Sequence, residues 1–290
     1  MAKSSDYKSG HVITWCPGCG NFAILNAVKR ALQDRGIAPH EIIVATGIGC
    51  GSKLHHYMTI NGIHTLHGRP VPVAQGAKLA NHAMKVAVIH GDGDGYGEGL
   101  GHFAHVTRRN PGITEIVQNN KIYGLTKGQY SPTSDRGKRT PTSPEGVIEY
   151  GVQPLALAIT HGATFVARGY SGDLKELQWL IGEAMEHHGY ALVDVLQPCV
   201  TFNSERAYDF YNERVYKLED EEGYDPADRA AAWQKAQEWG ERIPTGIFYR
   251  VDPIPTYEDQ LPALKERPLV EQPLEKLTAE EIELLLDELR

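Results

Sequence analysis

Residues 88–99 read VIHGDGDGYGEG: an apolar strand runs into glycines interleaved with two acids, Asp92 and Asp94, ahead of a helical stretch. Glycine lets a backbone approach a phosphate closely, and the N–H groups at a helix start favour an anion. In open α/β sheets, ligands sit where strand carboxyl ends meet helix N-termini. A bare carboxylate there repels diphosphate. The conflict disappears if an acid holds Mg²⁺, which bridges carboxylate to phosphate oxygen. An acidic glycine turn with no ligand is the plain alternative for this motif taken alone.

A second segment bears on that choice. The next apolar strand ends in Gln118-Asn119-Asn120-Lys121-Ile122-Tyr123-Gly124. Consecutive strands of a doubly wound sheet often lie side by side, so their ends can meet. Asn120 offers a neutral side-chain oxygen, and a backbone carbonyl two residues on offers another. With one carboxylate, diphosphate oxygens and water, these complete an octahedral Mg²⁺ shell. An ordinary Asn-rich turn is the alternative.

The four cysteines are the third chemical feature. Cys16 and Cys19 form C-x₂-C in CPGC, a spacing that puts two thiolates on one metal. Cys50 and Cys199 each follow an apolar strand, which sets them at the edge proposed for the diphosphate. Four thiolates suit one iron–sulfur cluster. They suit zinc as well, and inert buried thiols are the third option. Disulfides are the weaker reading, because no apolar leader is visible in MAKSSDYKSG and the expected compartment is cytoplasmic.

These residues need a frame. Strand patterns at 41–46, 85–90, 113–118, 164–167 and 192–195 alternate with helical patterns at 21–35, 72–84, 99–109, 153–160 and 173–187. That alternation implies an α/β fold: a doubly wound parallel sheet covered on both faces. Residues 119–146 form a long polar segment, and loops of that length are usually functional. After residue 200 the chain is richer in charge, Tyr and Pro. Two helices are expected there, 226–239 and 279–289, the second with a capping box of Thr278 and Glu281. No strand is expected in that region. Residues 1–200 therefore read as the cofactor domain, and residues 201–290 as a C-terminal extension, a subunit-interface arm.

Composition bounds the function. The chain has 290 residues with a net charge of −8, 41% hydrophobic and 23% charged, which is globular and not disordered. No apolar run reaches the ~18 residues of a membrane span. The acidic balance and the lack of a basic block argue against a nucleic-acid partner.

GDG followed about thirty residues later by NN resembles the signature of thiamine diphosphate enzymes. The wider set is more specific: WCPGCGN (15–21), TGIGCGSK (46–53), HTLHGR (64–69), GDGDGYGEG (91–99), NNKIYGLTKGQYSPTS (119–134) and IPTGIFYR (243–250). Together they resemble the β subunit of a 2-oxoacid:ferredoxin oxidoreductase over residues 11–260. The resemblance implies a thiamine diphosphate-binding fold with Mg²⁺ on Asp92, Asn120 and the Ile122 carbonyl. It implies Gly91, Gly93, Asp94 and Thr126 near the diphosphate. It also implies one [4Fe–4S] cluster on Cys16, Cys19, Cys50 and Cys199. The implied activity is oxidative decarboxylation of a 2-oxo acid with coenzyme A, giving acyl-CoA, CO₂ and reduced ferredoxin. The carboxylate that activates thiamine belongs to a partner α subunit in this family, so no catalytic residue is assigned to this chain. An (αβ)₂ assembly follows.

A dicarboxylate such as 2-oxoglutarate, the favoured substrate, needs a cation for its distal acid. Lys53 is the candidate. His64, His67 and Arg69 are further candidates for substrate or cofactor contact, and Leu125 for shaping the acyl pocket. Local ion pairs or solvent-facing positions are the plain alternatives. Pyruvate or a branched-chain 2-oxo acid are the other substrates. A non-redox thiamine lyase with a structural zinc, and a non-catalytic electron-carrier subunit, are the other functions. His102 and His105, spaced i, i+3, are read as packing or solvated residues. Trp15 is read either as a shield for the cluster or as core.

Overall fold

The computed structural model describes residues 4–251, 253–273 and 278–288. Helices α1 (Asn21–Asp34), α2 (Pro70–Ala80), α3 (Leu100–Arg109), α4 (Pro154–Thr160) and α5 (Leu174–Glu186) alternate with strands. The strands are β1 (Ile42–Thr46), β2 (Asn61–His64), β3 (Lys85–Gly91), β4 (Ile113–Asn119), β5 (Phe165–Tyr170) and β6 (Ala191–Leu196). Then come α6 (Tyr208–Asn212), β7 (Val215–Lys217), α7 (Arg229–Lys235), β8 (Ile243–Arg250) and α8 (Ala279–Asp287). The sheet order is β2-β1-β3-β4-β6-β5-β8-β7, parallel from β2 through β5, with β8 antiparallel to β5.

The central strands are apolar on both sides because both faces are covered. Side chains alternate along a strand. Ala87 and Ile89 of β3 join the core under α1 and α5, with Ile24, Val28, Leu32, Leu177 and Ile181. Val86 and Val88 of the same strand face α2, α3 and α4, with Ala74, Phe103, Val106, Leu155 and Ile159. Among the described residues no helix is long and apolar enough to cross a membrane.

The expected elements of the first 200 residues are all present within a few residues of their ends. The structure adds one strand to them. β2 is polar and exposed along its whole length, so it lacks an apolar signal. Two corrections fall after residue 200. First, strands do return: β7 and β8 extend the sheet. Pro244 and Gly246 mask β8 as a strand. Pro244 is tolerated because it sits near the strand start, opposite short β7, while a register shift in β5 absorbs the irregular pairing further along. Second, the helix expected at 226–239 is only α7, capped by the Asp228 carboxylate, which accepts from the N–H groups of Ala230 and Ala231. The Thr278–Glu281 capping box is formed, and Leu289, the expected end of that last helix, lies outside the described residues.

Candidate active site

Four neighbouring parallel strands, β1-β3-β4-β6, each run out into one of the singled-out residues: Cys50, Asp92, Asn120 and Cys199. The pairing of Gly91 with Gln118 brings the ends of β3 and β4 level. Asp92, Asn120 and Ile122 line one cleft with Gly91, Gly93, Asp94, Leu125, Thr126 and His67. The Cβ position of Gly124 lies 3.7 Å from Cys199 Sγ and 3.9 Å from Cys50 Sγ.

The inner oxygen set fits a hard divalent cation. Asp92 is buried. One of its carboxylate oxygens accepts from Ser131 and Thr133, each at 2.6 Å. Burial pushes its carboxyl up, with Asp194 adding to the rise, only partly opposed by those hydroxyls and the Gly93 N–H. A cation bound there would stabilise the charged carboxylate. Asn120 is held through its amide, which donates to Gln197 Oε1 at 2.7 Å. That leaves Oδ1 aimed back at the turn, where the Ile122 N–H reaches it at 3.1 Å. Between them Lys121 takes φ +59°, a left-handed conformation uncommon outside glycine. Its ammonium is fixed by Asp135 at 3.1 Å and lies 3.9 Å from the Trp239 ring. The buried Ile122 carbonyl accepts no hydrogen bond among the described residues. One carboxylate and two neutral oxygens are therefore available at one place, the donor set Mg²⁺ takes beside phosphate.

The cysteines fit a thiolate-bound cluster. All four are free thiols. Burial pushes Cys19 up to about 11, and Cys199, Cys50 and Cys16 each add to the rise. The four sulfurs thus act on one another electrostatically. A metal bound among them would favour the thiolate form of each. The CPGC loop is tied to β6 by the Gly20 N–H, which donates to Pro198 O at 3.2 Å. The Gln197 amide reaches Cys19 Sγ at 3.4 Å. Gln197 thereby links the sulfur group to Asn120. Trp15 is buried and donates to the Cys50 carbonyl at 2.7 Å.

Asp94 has a different task from Asp92. Its Oδ1 accepts from Gly68 N–H at 2.7 Å and Ile48 N–H at 3.3 Å, and it lies 2.6 Å from His67 Nδ1. Its other oxygen is 3.5 Å from His90 Nδ1. Burial opposes ionisation, but His90 and the two backbone N–H groups hold its carboxyl below the usual range. His90 is itself fully buried and pushed up to about 9, burial being overcome by Asp94 and Glu115. Glu115 meets His90 Nε2 at 2.9 Å and accepts from Tyr190 at 2.8 Å. A buried column thus anchors the glycine turn from below. Gly47 is needed beside it: a Cβ there would stand 1.8 Å from Asp94 Oδ2.

The family described as "Thiamine pyrophosphate enzyme, C-terminal TPP binding domain" matches residues 36–195. The family of the C-terminal part of the pyruvate ferredoxin oxidoreductase beta subunit matches residues 199–266. A 2-oxoacid:ferredoxin oxidoreductase subunit beta of Aeropyrum pernix is 48% identical over 257 residues, 85% of this chain and 80% of that protein. The chain belongs to the 2-oxoacid:ferredoxin oxidoreductase β-subunit family. A relative from Mycobacterium tuberculosis, "2-oxoglutarate oxidoreductase subunit KorB", is 42% identical over 201 residues, 69% of this chain and 54% of that protein. The solved structure of a 2-oxoglutarate:ferredoxin oxidoreductase from Magnetococcus marinus, with 2-oxoglutarate, coenzyme A and succinyl-CoA bound, aligns with TM-score 0.90. It is 40% identical, and the match covers 98% of this chain and 96% of that one.

Within this β subunit, the candidate substrate contacts divide. His67 and Leu125 line the cleft. Lys53, His64 and Arg69 do not. Lys53 donates to Thr14 Oγ1 at 3.3 Å. Arg69 is engaged by the carbonyls of Gly68 and Glu98, each at 3.2 Å. His64 Nδ1 is 3.4 Å from Thr46 Oγ1. Thr126 lines the cleft, with its hydroxyl bonded to Gln129. His105 accepts from Arg108 at 2.9 Å, and with His102 it belongs to no metal-binding group among the described residues. Sequence reasoning missed Ser131, Thr133, Gln197 and the His90–Glu115 pair. The signal for the last was present: single ionisable residues inside the apolar runs KVAVIH and ITEIVQ.

Proposed function

We propose that this β chain binds thiamine diphosphate through Mg²⁺ held by Asp92, Asn120 and the Ile122 carbonyl. Gly91, Gly93, Asp94 and Thr126 line the diphosphate. Cys16, Cys19, Cys50 and Cys199 carry one [4Fe–4S] cluster beside it. Paired with an α subunit as (αβ)₂, the chain oxidatively decarboxylates 2-oxoglutarate with coenzyme A to succinyl-CoA and CO₂ and passes the electrons to ferredoxin. The observation that carries this reading is the order of the four strand ends, sulfur-oxygen-oxygen-sulfur across β1, β3, β4 and β6.

When bound, thiamine diphosphate supplies the carbanion that makes decarboxylation of a 2-oxo acid feasible, and a cluster accepts the released electrons singly. This chain's residues hold and orient. Asp92 supplies the negative charge opposite the cation. The His67 ring stands at the glycine turn, its Nδ1 2.6 Å from Asp94 Oδ1 and 3.3 Å from Glu98 Oε2. Tyr123 closes one wall, its hydroxyl donating to Gly93 O at 3.3 Å.

The cleft supports a partner. Its volume, ≈ 80 Å³, is far below the roughly 300–1,000 Å³ of a small-molecule site. The chain thus builds one wall of a cofactor pocket. Val12, Leu66 and Leu125 are exposed, as are Leu269, Val270, Ile282, Leu284, Leu285 and Leu286 in the C-terminal extension. Apolar side chains left in water mark contact surfaces, which fits residues 201–290 as a subunit-interface arm. Relatives named for 2-oxoglutarate support that substrate over pyruvate or branched-chain 2-oxo acids.

The deciding experiment is co-expression with candidate α chains, followed by a panel of 2-oxo acids with coenzyme A and a dye acceptor under anaerobic conditions. Turnover of 2-oxoglutarate that requires both chains supports the reading. Colourless, zinc-loaded protein that decarboxylates without reducing the dye supports the lyase. Cluster-bearing protein that never retains thiamine diphosphate supports the electron carrier.

A further inference from the structure

Away from the cleft, at the open edge of the sheet, three imidazoles converge. His55 and His56 lie in the short helical segment after Cys50, and His64 ends edge strand β2. One ring nitrogen from each lies within 4.8 Å of the others. The rings nearly touch: the His55–His56 centroids are 3.9 Å apart, His55–His64 5.1 Å and His56–His64 5.3 Å. We propose that His55, His56 and His64 form a binding site for a borderline divalent metal of the zinc class, distinct from the Mg²⁺ and cysteine sites.

Three observations carry this. The first is that two of the three rings, His55 and His64, are held by partners of the kind metal-ligating histidines use. A ligating histidine uses one ring nitrogen for the metal, and the other is fixed by a hydroxyl, carbonyl or carboxylate. His55 Nδ1 lies 2.8 Å from Thr46 Oγ1 and 3.0 Å from Ser52 O, which leaves Nε2 for the metal. The same Thr46 hydroxyl lies 3.4 Å from His64 Nδ1. A single buried side chain therefore sets two of the three rings. The second observation concerns His56, whose ring has no hydrogen-bond or acidic partner among the described residues. The third is that the strand makes room for a ring. A Cβ at Gly62 would stand 2.8 Å from His55 Cδ2, so the glycine lets the imidazole lie against β2.

Ligand chemistry and size choose the metal. Neutral nitrogen donors suit Zn²⁺, Co²⁺ or Ni²⁺ and not Mg²⁺ or Ca²⁺. Nitrogens at ~2.0–2.1 Å from a tetrahedral zinc lie about 3.4 Å apart. The set is therefore slightly open, and rotation of the exposed His56 and His64 rings closes it. Three protein ligands leave the fourth position to solvent. None of these rings lines the Asp92 cleft, so this site stands or falls apart from the thiamine reading.

The test is anaerobic titration of the full chain with Co²⁺ alone, which reports ligand type by colour. Nitrogen-only coordination gives visible d–d bands. Cysteine coordination adds thiolate-to-cobalt charge transfer in the near ultraviolet. The expected result is a nitrogen-type d–d signal, beside any charge transfer from the four cysteines, weakened at least about tenfold in His56→Ala and in His64→Ala. Thr46→Val, which removes only the orienting hydroxyl, weakens it about ten- to a hundredfold. Circular dichroism of each metal-free variant checks the fold. His56 is exposed, so its truncation separates ligand loss from unfolding. Signal confined to thiolate coordination, or nitrogen-type binding unchanged in both histidine variants, overturns the proposal.

Discussion

The two ends of the central strands are built on opposite principles. At the amino ends lies the larger cavity, about 290 Å³, bordered by Lys78, Lys85, His187, His188, Glu258 and Asp259. Most of its polar groups are matched, although Glu258 Oε2 and His82 Nδ1 lack a hydrogen-bond partner among the described residues. Lys78 donates to the carbonyls of His82 and Met84 at 2.7 and 3.0 Å, and Lys85 to Met185 O at 2.9 Å. His188 pairs with Asp259 at 2.7 Å, and the Gly112 N–H reaches Glu258 at 2.9 Å. At the carboxyl ends the cleft is smaller, ≈ 80 Å³. There burial pushes the Asp92 carboxyl toward its neutral form, the Ile122 carbonyl accepts no hydrogen bond among the described residues, and two cysteine sulfurs flank Gly124. Cavity size alone therefore does not pick out the proposed cofactor site; the types of donor gathered at the strand ends do.

Asp92→Ala breaks the contrast most sharply. In the αβ complex it should abolish turnover and empty the site of magnesium and thiamine diphosphate, both measurable in the purified protein. Full retention of the two would remove Asp92 from the cation site. Cys199→Ala ranks next. Iron should fall from about four per chain, and the broad absorption near ~400 nm should collapse, with dye reduction lost. An unchanged spectrum would mean that the sulfurs around Gly124 serve another purpose.

Lys78→Met probes the opposite end. It strips a donor from two carbonyls and should cost about 1–3 kcal/mol in urea denaturation, with kcat/KM of the complex unchanged. A drop in activity at constant stability would show that the amino ends take part in function. The smallest expected effect sharpens the picture on the flank, at Glu176. Burial pushes its carboxyl up to about 7, beside the Thr245 hydroxyl at 3.2 Å. A raised carboxyl pKa means that the folded state holds the proton longer than the unfolded chain. Stability is then greatest below the ordinary value of 4.5 and declines as pH rises through about 7. Glu176→Gln should flatten that decline by on the order of 1 kcal/mol. Melting curves of both proteins at pH 5 and 8 decide it.

Legibility followed distance along the chain. The alternation of strands and helices through β6 is local periodicity, and it was readable. β2 escaped because an exposed edge strand needs no apolar face. β8 escaped because its Pro and Gly are permitted only by where it sits in the sheet. The proposed donors Asp92, Asn120, Ile122 and the cysteines could be named from type and spacing with the family resemblance, and the fold sets four of them at adjoining strand ends. The contacts that hold them could not. Ser131 and Thr133 reach Asp92 from a loop without periodicity, and Gln197 joins Asn120 to Cys19 across segments remote in sequence. Glu115 meets His90 only because β3 and β4 pair in the register that sets Val88 against Glu115.

Residue chemistry alone thus specified which atoms are on offer: one hard-cation oxygen set, four sulfurs and the glycines that make close approach possible. Strand order is what assembled them. Placing β1, β3, β4 and β6 side by side is a choice made by packing apolar faces under two helix layers, and it sets the sulfurs outside and the oxygens inside. No local pattern encodes that order, because it is a property of which surfaces bury one another.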